Sequence, residues 1–225
     1  MSRVLEDALK KLDDAVTGLA RASITDDLTP LHNAIGLRRI GMTIGAAEEA
    51  LNVVVFGDLN RFKSLNDEFG HEAGDAAISH VGQVIDTLLV KGMDCRGFRR
   101  SGDEFVLFTT VERIEDLRES LKAFNSCRFK FNGKVHTISA SFGFARADGK
   151  ADFHQLMERA ETACQVAKSQ GRGELVEWSE ELAAQAYQSV RGRCGSCNTK
   201  IMCDVPSSKT DPRLRRCPVC EQPLS

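Results

Sequence analysis

The chain has 225 residues, 42% of them hydrophobic, which suffices for one domain of ordinary size and a small appendage. Its net charge of −2 excludes a strong electrostatic preference of the whole chain for nucleic acid or membranes, and no apolar run approaches the roughly 20 residues of a membrane span, so we expect no membrane partner. Eight cysteines, with no apolar signal-peptide segment at the start, favour a cytoplasmic location in which cysteine binds metal instead of forming disulfides.

The first predicted element is a helix over residues 3–22. Its apolar residues recur at alternating spacings of four and three, as in a coiled-coil seam: Leu5, Leu9, Leu12, Val16 and Leu19. The seam is short for an isolated coiled coil. Residues 1–23 are therefore interpreted either as a dimerisation stalk or as one amphipathic helix that packs on its own domain.

Residues 24–178 alternate between segments typical of helices and of strands. Helices are predicted over 34–50, 75–90, 114–124 and 153–169. Strands are predicted over 51–56, 95–100, 104–110, 128–132, 134–145 and 174–178. The order is βαββαβ with additions, which predicts an α+β fold with an antiparallel-rich sheet and helices on one face. Residues 179–190 are predicted to be a helical linker.

Acidic residues stand at two conspicuous places in this pattern. Asp58 follows the apolar strand over 51–56, where a strand opens into a loop and can line a ligand site. The tight turn Ser101-Gly102-Asp103 joins two predicted strands, and Glu104 follows it. A turn of small residues and two acids can hold a divalent metal and a polyphosphate. The alternative is a solvated acidic turn.

Five segments, in this order, resemble the GGDEF family of diguanylate cyclases. They are Asp27-Leu28-Thr29-Pro30-Leu31-x-Asn33, Asp58-Leu59-Asn60-Arg61-Phe62-Lys63 with its continuation to Gly74-Asp75, Ser101-Gly102-Asp103-Glu104-Phe105, Ser139-Ala140-Ser141-Phe142-Gly143 and Ala167-Lys168-x-x-Gly171-Arg172. The resemblance covers residues 24–178. It implies the ferredoxin-like palm shared by nucleotide cyclases and polymerases.

The same resemblance implies the reaction and its metal ions. Two GTP molecules would be joined into cyclic di-GMP with release of pyrophosphate, by a homodimer in which each chain holds one GTP. Two Mg²⁺ ions in each active site would be held by Asp58, Asp103 and the backbone carbonyl of Leu59. Asp103 would also accept a proton, Glu104 belongs to the same catalytic set, and Lys63 would contact phosphate or offset transition-state charge.

The substrate-binding residues follow from the resemblance in the same way. Asn66 and Asp75 correspond to guanine contacts, and an Asp carboxylate can accept hydrogen bonds that adenine has no donors to supply. His71 lies between them and corresponds to a position of the base pocket, with a helix-capping or core histidine as the alternative. The remaining substrate-binding candidates are Ser101 and Gly102 at the turn and Lys168 and Arg172 for the β- and γ-phosphates.

One departure from the family pattern bears directly on activity. Ser101 stands where the first signature glycine is expected, and the Cβ atom of serine penalises positive φ. A second interpretation is therefore a catalytically inactive effector domain that binds GTP or a cyclic dinucleotide. The product-inhibition motif R-x-x-D would fall on Gly92 and Cys95, which do not match it, so we expect no inhibitory site of the usual form.

The C-terminal residues 191–225 form a separate predicted module with a charge of +4, against −6 for the rest of the chain. Cys194, Cys197, Cys217 and Cys220 form two C-x₂-C pairs separated by 19 residues, which is typical of a tetrahedral Cys₄ site for one structural Zn²⁺. A zinc ribbon of this kind can bind a protein, bind nucleic acid or cap a dimer. A third interpretation of the function makes the ribbon an adaptor for nucleic acid or protein.

Overall fold

The computed structural model describes residues 10–11, 23–41, 51–91, 95–170, 175–193 and 200–206. Most of the predicted stalk and the four ribbon cysteines lie outside the described residues, as does Arg172. Within the part that is described, no helix is both long enough and apolar enough to cross a membrane.

The described chain alternates between strands and helices. The strands are β1 (Val53–Asn60), β2 (Arg96–Ser101), β3 (Glu104–Thr109), β4 (Cys127–Phe131), β5 (Lys134–Arg146), β6 (Leu175–Glu177), β7 (Tyr187–Arg193) and β8 (Lys200–Pro206). The helices are α1 (Ala34–Gly41), α2 (Phe62–Phe69), α3 (His71–Ile85), α4 (Ile114–Leu121), α5 (Phe153–Gln170) and α6 (Glu180–Ala186). A π-helical turn, Asp86–Val90, continues α3, and short 3₁₀ turns, Val111–Arg113 and Lys122–Asn125, flank α4.

One sheet carries the fold, in the order β2-β3-β1-β5-β4, with β6 added in parallel to β5. All pairs along this path are antiparallel. The predicted α+β class with an antiparallel-rich sheet is therefore confirmed. Strand β1 is central, and its residues Val53, Val54, Val55 and Phe56 are all buried.

Helices cover both faces of this sheet, so the prediction of helices on one face is wrong. On one side, Val53 and Val55 of β1 belong to a core that includes side chains of α3 and α4. On the other side, Val54 and Phe56 pack in a second core with side chains of α1 and α5. The physical reason is that side chains alternate along a strand, so a strand that is apolar at every position needs cover on both faces.

Helix α2 is a further departure from the prediction, which placed no helix between the strand over 51–56 and the helix over 75–90. Phe62, Leu65 and Phe69 recur at spacings of three and four, and Leu65 is buried in the core. Arg61 adopts a left-handed backbone, with φ of 58°, immediately before α2, and Gly70 separates α2 from α3. The chain therefore turns twice within a short distance of the end of β1.

The predicted helical linker over residues 179–190 is shorter than expected. Ser179 accepts a hydrogen bond from the backbone N–H of Leu182 (3.1 Å), and this capping interaction begins α6. The helix ends at Ala186, and the chain continues as β7, which pairs antiparallel with β8. Partner strand β8 comes later in the sequence, so the local helical pattern alone does not show where α6 must end.

Candidate active site

The end of β1 and the start of β3 bring three carboxylates together. Asp58 is paired directly with Glu104 of β3, and residues that face each other across two strands have side chains on the same side of the sheet. The backbone N–H of Leu59 donates a hydrogen bond to the backbone carbonyl of Asp103 (3.3 Å), which ties the turn to β1. Two segments that the sequence singled out separately therefore form one acidic cluster, consisting of Asp58, Asp103 and Glu104.

Helix α5 adds a cation to this acidic cluster. The ammonium group of Lys168 forms an ion pair with the carboxylate of Asp58, whose side chain is 19% exposed. The approach of α5 to the sheet depends on Gly143 of β5, because a Cβ atom there would lie 2.0 Å from the backbone nitrogen of Cys164. The glycine of the Ser-x-Ser-Phe-Gly segment thus allows the close packing that brings Lys168 to Asp58.

Burial and mutual repulsion shift the acidity of the two aspartates. Burial raises the pKa of Asp58 to about 6, although the ion pair with Lys168 opposes the rise, and the charges of Asp103 and Glu104 add to it. Burial likewise raises the pKa of Asp103, while its own backbone hydrogen bond and the charge of Lys168 oppose the rise. The negative charge of the cluster is therefore incompletely neutralised, which favours binding of cations.

The chemistry of this donor set fits Mg²⁺. Carboxylate and carbonyl oxygens from Asp58, Asp103 and Leu59 are the hard ligands that this ion prefers. Among the described residues, no group of three or more His, Cys, Asp and Glu side chains forms a cage for a metal ion. Magnesium sites of few protein ligands usually take their other oxygens from substrate phosphates and water, and this cluster matches that type.

The turn itself accommodates serine without the penalty expected from the sequence. Gly102 has a φ of 44°, and in the part of the chain that the structure describes no heavy atom lies within 4 Å of where its Cβ atom would be, so the tip of the turn is open to an approaching molecule. Ser101 is the last residue of β2, and the described non-glycine residues with positive φ are Arg61 and Asn132. The expectation that Ser101 would be penalised by a positive φ is therefore wrong. Its hydroxyl instead donates a hydrogen bond to Oε2 of Glu104 (2.7 Å).

A second ion pair, between Arg99 and Asp26, was not predicted from the sequence, and its arginine also binds the backbone of the turn. Arg99 donates from Nε to the carbonyl of Gly102 (2.9 Å) and forms an ion pair with Asp26 (3.2 Å). Asp26 also accepts hydrogen bonds from the backbone N–H and the hydroxyl of Thr29 (3.0 and 2.9 Å). Asp27 is exposed. The first of the five segments is predicted to begin at Asp27, but the aspartate that contacts both Thr29 and Arg99 is Asp26.

The predicted base-pocket residues lie on α2 and α3, directly after β1. The side-chain oxygen of Asn66 is buried and has no hydrogen-bond partner among the described residues, and it faces Gly74 of α3, where a Cβ atom would lie 2.0 Å from it. His71 and Asp75 are both exposed and lie four residues apart, so they share one face of α3. These positions combine a buried acceptor with an exposed acid.

Lys63 and Lys168 differ in their relation to the cluster. Lys63 is exposed on α2, and among the described residues it forms no ion pair with the three carboxylates, whereas Lys168 contacts Asp58.

Asn60, two residues beyond Asp58, is held by hydroxyl groups of β5. It donates to Ser139 (3.1 Å) and accepts from Ser141 (3.0 Å). Asn60 therefore stabilises the end of β1.

Comparison with known proteins identifies a family for most of the chain. The sequence model of the family described as "Diguanylate cyclase, GGDEF domain" matches residues 23–174. Similar proteins include the probable diguanylate cyclase DgcE of Escherichia coli (31% identical over 175 residues, 74% of this chain) and the bifunctional diguanylate cyclase/cyclic di-GMP phosphodiesterase MucR of Pseudomonas aeruginosa (32% over 189 residues, 78%). The chain spans only 16% and 27% of these two relatives.

Solved structures show the same fold. The coiled coil and GGDEF domain of DgcB from Caulobacter crescentus, in complex with c-di-GMP, superposes with a TM-score of 0.68 at 24% identity, over 78% of this chain and 97% of that one. The isolated GGDEF domain of YfiN from Pseudomonas aeruginosa gives a TM-score of 0.61 at 26% identity, over 71% and 96%. The expected cyclase-type palm is thus confirmed as a fold.

Proposed function

The chain belongs to the GGDEF domain family, and from this premise we propose that it is a diguanylate cyclase, which joins two GTP molecules into cyclic di-GMP with release of pyrophosphate. The observation that carries the proposal is the convergence of Asp58, Asp103 and Glu104 with Lys168. Carboxylates for metal ions and a cation for phosphate are what a phosphoryl transfer of this kind requires.

Asp58, Asp103 and the carbonyl of Leu59 would hold Mg²⁺, with two ions in each active site. When bound, these ions offset the charge of the triphosphate and lower the pKa of the attacking 3′-hydroxyl. Asp103 would accept the proton of that hydroxyl, and the raised pKa of its carboxyl suits proton acceptance. We assign Glu104 to the same catalytic set, and its place directly opposite Asp58 across the two strands supports this assignment.

The cations and the helices α2 and α3 would orient the nucleotide. Lys168 can exchange its ion pair with Asp58 for one with the β- or γ-phosphate, and Lys63 would approach the phosphates from α2. The buried oxygen of Asn66 and the exposed carboxylate of Asp75 are acceptors for the donors of guanine. His71 shares the face of Asp75, and Arg172, just after α5, would bind phosphate with Lys168.

The reaction requires two chains, since each site holds one GTP and each 3′-hydroxyl attacks the α-phosphate of the other nucleotide. The open tip at Gly102 suits such an encounter, because no described residue has a heavy atom within 4 Å of where a Cβ atom would be there. We propose a homodimer in which two such tips face each other across the pair of nucleotides.

The proposal is tested by incubating the protein with GTP and Mg²⁺ and separating the nucleotides by chromatography. The parent is expected to form cyclic di-GMP, and Asp103→Ala is expected to form none. Asp116→Ala, which removes an exposed carboxylate on α4, is the matched control and should retain the activity of the parent. Intact GTP after incubation with the parent, at a concentration where it is dimeric, would contradict the cyclase and leave a nucleotide-binding effector.

We further propose that the C-terminal residues form a zinc ribbon with one Zn²⁺ bound by Cys194, Cys197, Cys217 and Cys220. The pairing of β7 with β8 supports this, because Arg193 faces Lys200 and the first C-x₂-C pair occupies the connection between the two strands. Four thiolates in two such pairs are the usual ligands of structural zinc. Metal analysis should give one Zn²⁺ per chain, and none after Cys194 and Cys217 are both replaced by serine.

A further inference from the structure

Glu104 of the acidic cluster is linked by a chain of contacts to Ser101, Arg100 and Glu161, and the proposed reaction gives Arg100 and Glu161 no role. Oε2 of Glu104 accepts the hydroxyl hydrogen of Ser101 (2.7 Å) and lies 3.7 Å from a guanidinium nitrogen of Arg100. The same nitrogen of Arg100 donates to Glu161 of α5 (3.1 Å). One carboxylate oxygen of Glu104 thus accepts a hydrogen bond from Ser101 and lies in an ion pair with Arg100.

A bulge at the end of β2 directs Arg100 to this place. Arg99 pairs with Phe105 and Ser101 pairs with Glu104, so Arg100 is the additional residue on its strand. An additional residue of this kind turns its side chain away from the regular alternation. The guanidinium group of Arg100 lies 5.5 Å from the ring centroid of Phe56. This distance allows a cation–π contact, which helps to hold the guanidinium group in place.

Helix α5 is therefore linked to the cluster in two ways, directly through Lys168 and indirectly through Glu161 and Arg100. Glu161 and Lys168 are seven residues apart, which is close to two turns, so they lie on one face of the helix. Glu161 anchors Arg100, while Lys168 forms the ion pair with Asp58. Between them, the close contact of the Cys164 backbone with Gly143 fixes the distance of the helix from the sheet.

Glu104 needs such an anchor because of its neighbours. It faces Asp58 and raises the pKa of both Asp58 and Asp103 through charge repulsion. Its side chain is 28% exposed, so without a partner it could rotate into water and away from the other two acids. The hydroxyl of Ser101 and the positive charge of Arg100 oppose that rotation.

We propose that Ser101 and Arg100 are positioning residues that fix the direction of the Glu104 carboxylate, with Glu161 as the anchor of Arg100. In this chain the serine that replaces the first signature glycine supplies a hydroxyl group that glycine lacks. The inference rests on the proposed cyclase activity for its kinetic consequence. The contacts themselves are independent of turnover.

The kinetic test compares variants that differ in one group. Ser101→Ala and Ser101→Gly remove the hydroxyl and should lower kcat about five- to tenfold with little change in the KM for GTP, as expected for one partly exposed hydrogen bond to a charged group. Ser101→Thr keeps the hydroxyl and should retain most of kcat. Arg100→Gln should lower kcat to a similar extent, and the double variant should lose less than the product of the two effects, since both act on one oxygen.

A matched control is available on β5. Arg146 also pairs with a strand glutamate, Glu177, and its guanidinium group also lies near a phenylalanine ring. Arg146→Gln removes an ion pair of the same type away from the cluster and should leave kcat unchanged. Full activity of both Ser101→Ala and Arg100→Gln would overturn the proposal, as would a rise in KM at unchanged kcat, which would assign these residues to substrate binding.

Crystal structures of the parent and of Ser101→Ala decide the question even if the parent forms no product. The proposal requires the Ser101 hydroxyl within hydrogen-bond distance of Glu104 in the parent and a rotated Glu104 carboxylate in the variant. An unbonded Glu104 in the parent, or an unmoved carboxylate in the variant, would refute it. A parent that shows these contacts but forms no product would refute only the cyclase activity.

Discussion

Replacement of Asp58 by asparagine should stabilise the protein in the absence of metal while it removes a proposed ligand of Mg²⁺. Asp58 is half-buried beside Asp103 and Glu104, and this burial raises the pKa of its carboxyl from 3.8 to about 6. Asparagine has nearly the same shape as the protonated acid and carries no charge. The variant therefore resembles the parent with Asp58 permanently neutral.

The size of the effect follows from the two pKa values. A difference between 3.8 and about 6 corresponds to about 3 kcal/mol of unfolding free energy once the group is ionised in both states. The folded state holds this proton more tightly than the unfolded chain, so stability falls as pH rises between these two values. At pH 7 to 8 Asp58→Asn should be about 2–3 kcal/mol more stable than the parent, and near pH 4 the difference should fall to about 0.5 kcal/mol.

Urea unfolding of both proteins between pH 4 and pH 8, in buffer with a metal chelator, measures this difference. Asp67→Asn is the control, because it neutralises an exposed carboxylate on α2 and should change stability by less than about 0.5 kcal/mol. Added Mg²⁺ should stabilise the parent and leave Asp58→Asn unchanged, since only the parent keeps the ligand set.

A less stable Asp58→Asn at pH 8 would refute this reasoning, because the ion pair with Lys168 would then outweigh burial and repulsion. An advantage of the same size at pH 4 and pH 8 would also refute it, since only a titrating group makes the difference depend on pH. Equal stabilisation of both proteins by Mg²⁺ would place the ion away from Asp58.

Two further substitutions test how the surrounding structure holds the cluster. Gly143→Ala should lower the unfolding free energy by about 3 kcal/mol in urea titrations, because the added methyl group meets the backbone of α5 at Cys164, and it should weaken GTP binding by moving Lys168. Asp26→Ala should cost about 2–3 kcal/mol, since it leaves the half-buried guanidinium group of Arg99 without its carboxylate partner, and should speed amide hydrogen exchange at the turn that Arg99 holds. Unchanged stability in either variant would contradict the contact on which it is based.

Much of the fold could be predicted because its signals are local. The strand over 51–56 is apolar at every position, and the turn at Gly102 lies between two β-prone segments, so the central strand and the signature hairpin could be recognised from their own residues. A strand that is apolar at every position also indicates that both faces of the sheet are covered. The prediction of helices on one face did not use this indication.

The ion pairs that connect distant segments at the site could not be predicted from local signals. Lys168 and Asp58 are 110 residues apart, and Arg99 and Asp26 are 73 apart. No periodicity relates such partners, since their meeting depends on the order of strands and on how closely α5 packs. Resemblance to a family could place Lys168 near phosphate. Only the structure shows its contact with Asp58.

Ser101 illustrates why a residue that breaks a motif cannot be judged from the motif alone. A signature of two glycines suggests two backbone positions that exclude a Cβ atom, yet here positive φ falls on Gly102 and not on Ser101. The bulge at Arg100 changes the pairing just before the turn, so Ser101 remains in the strand opposite Glu104. A serine in that position has room for its side chain and a carboxylate within reach of its hydroxyl. The substitution is therefore better explained as a gained contact than as the loss of a catalytic signature.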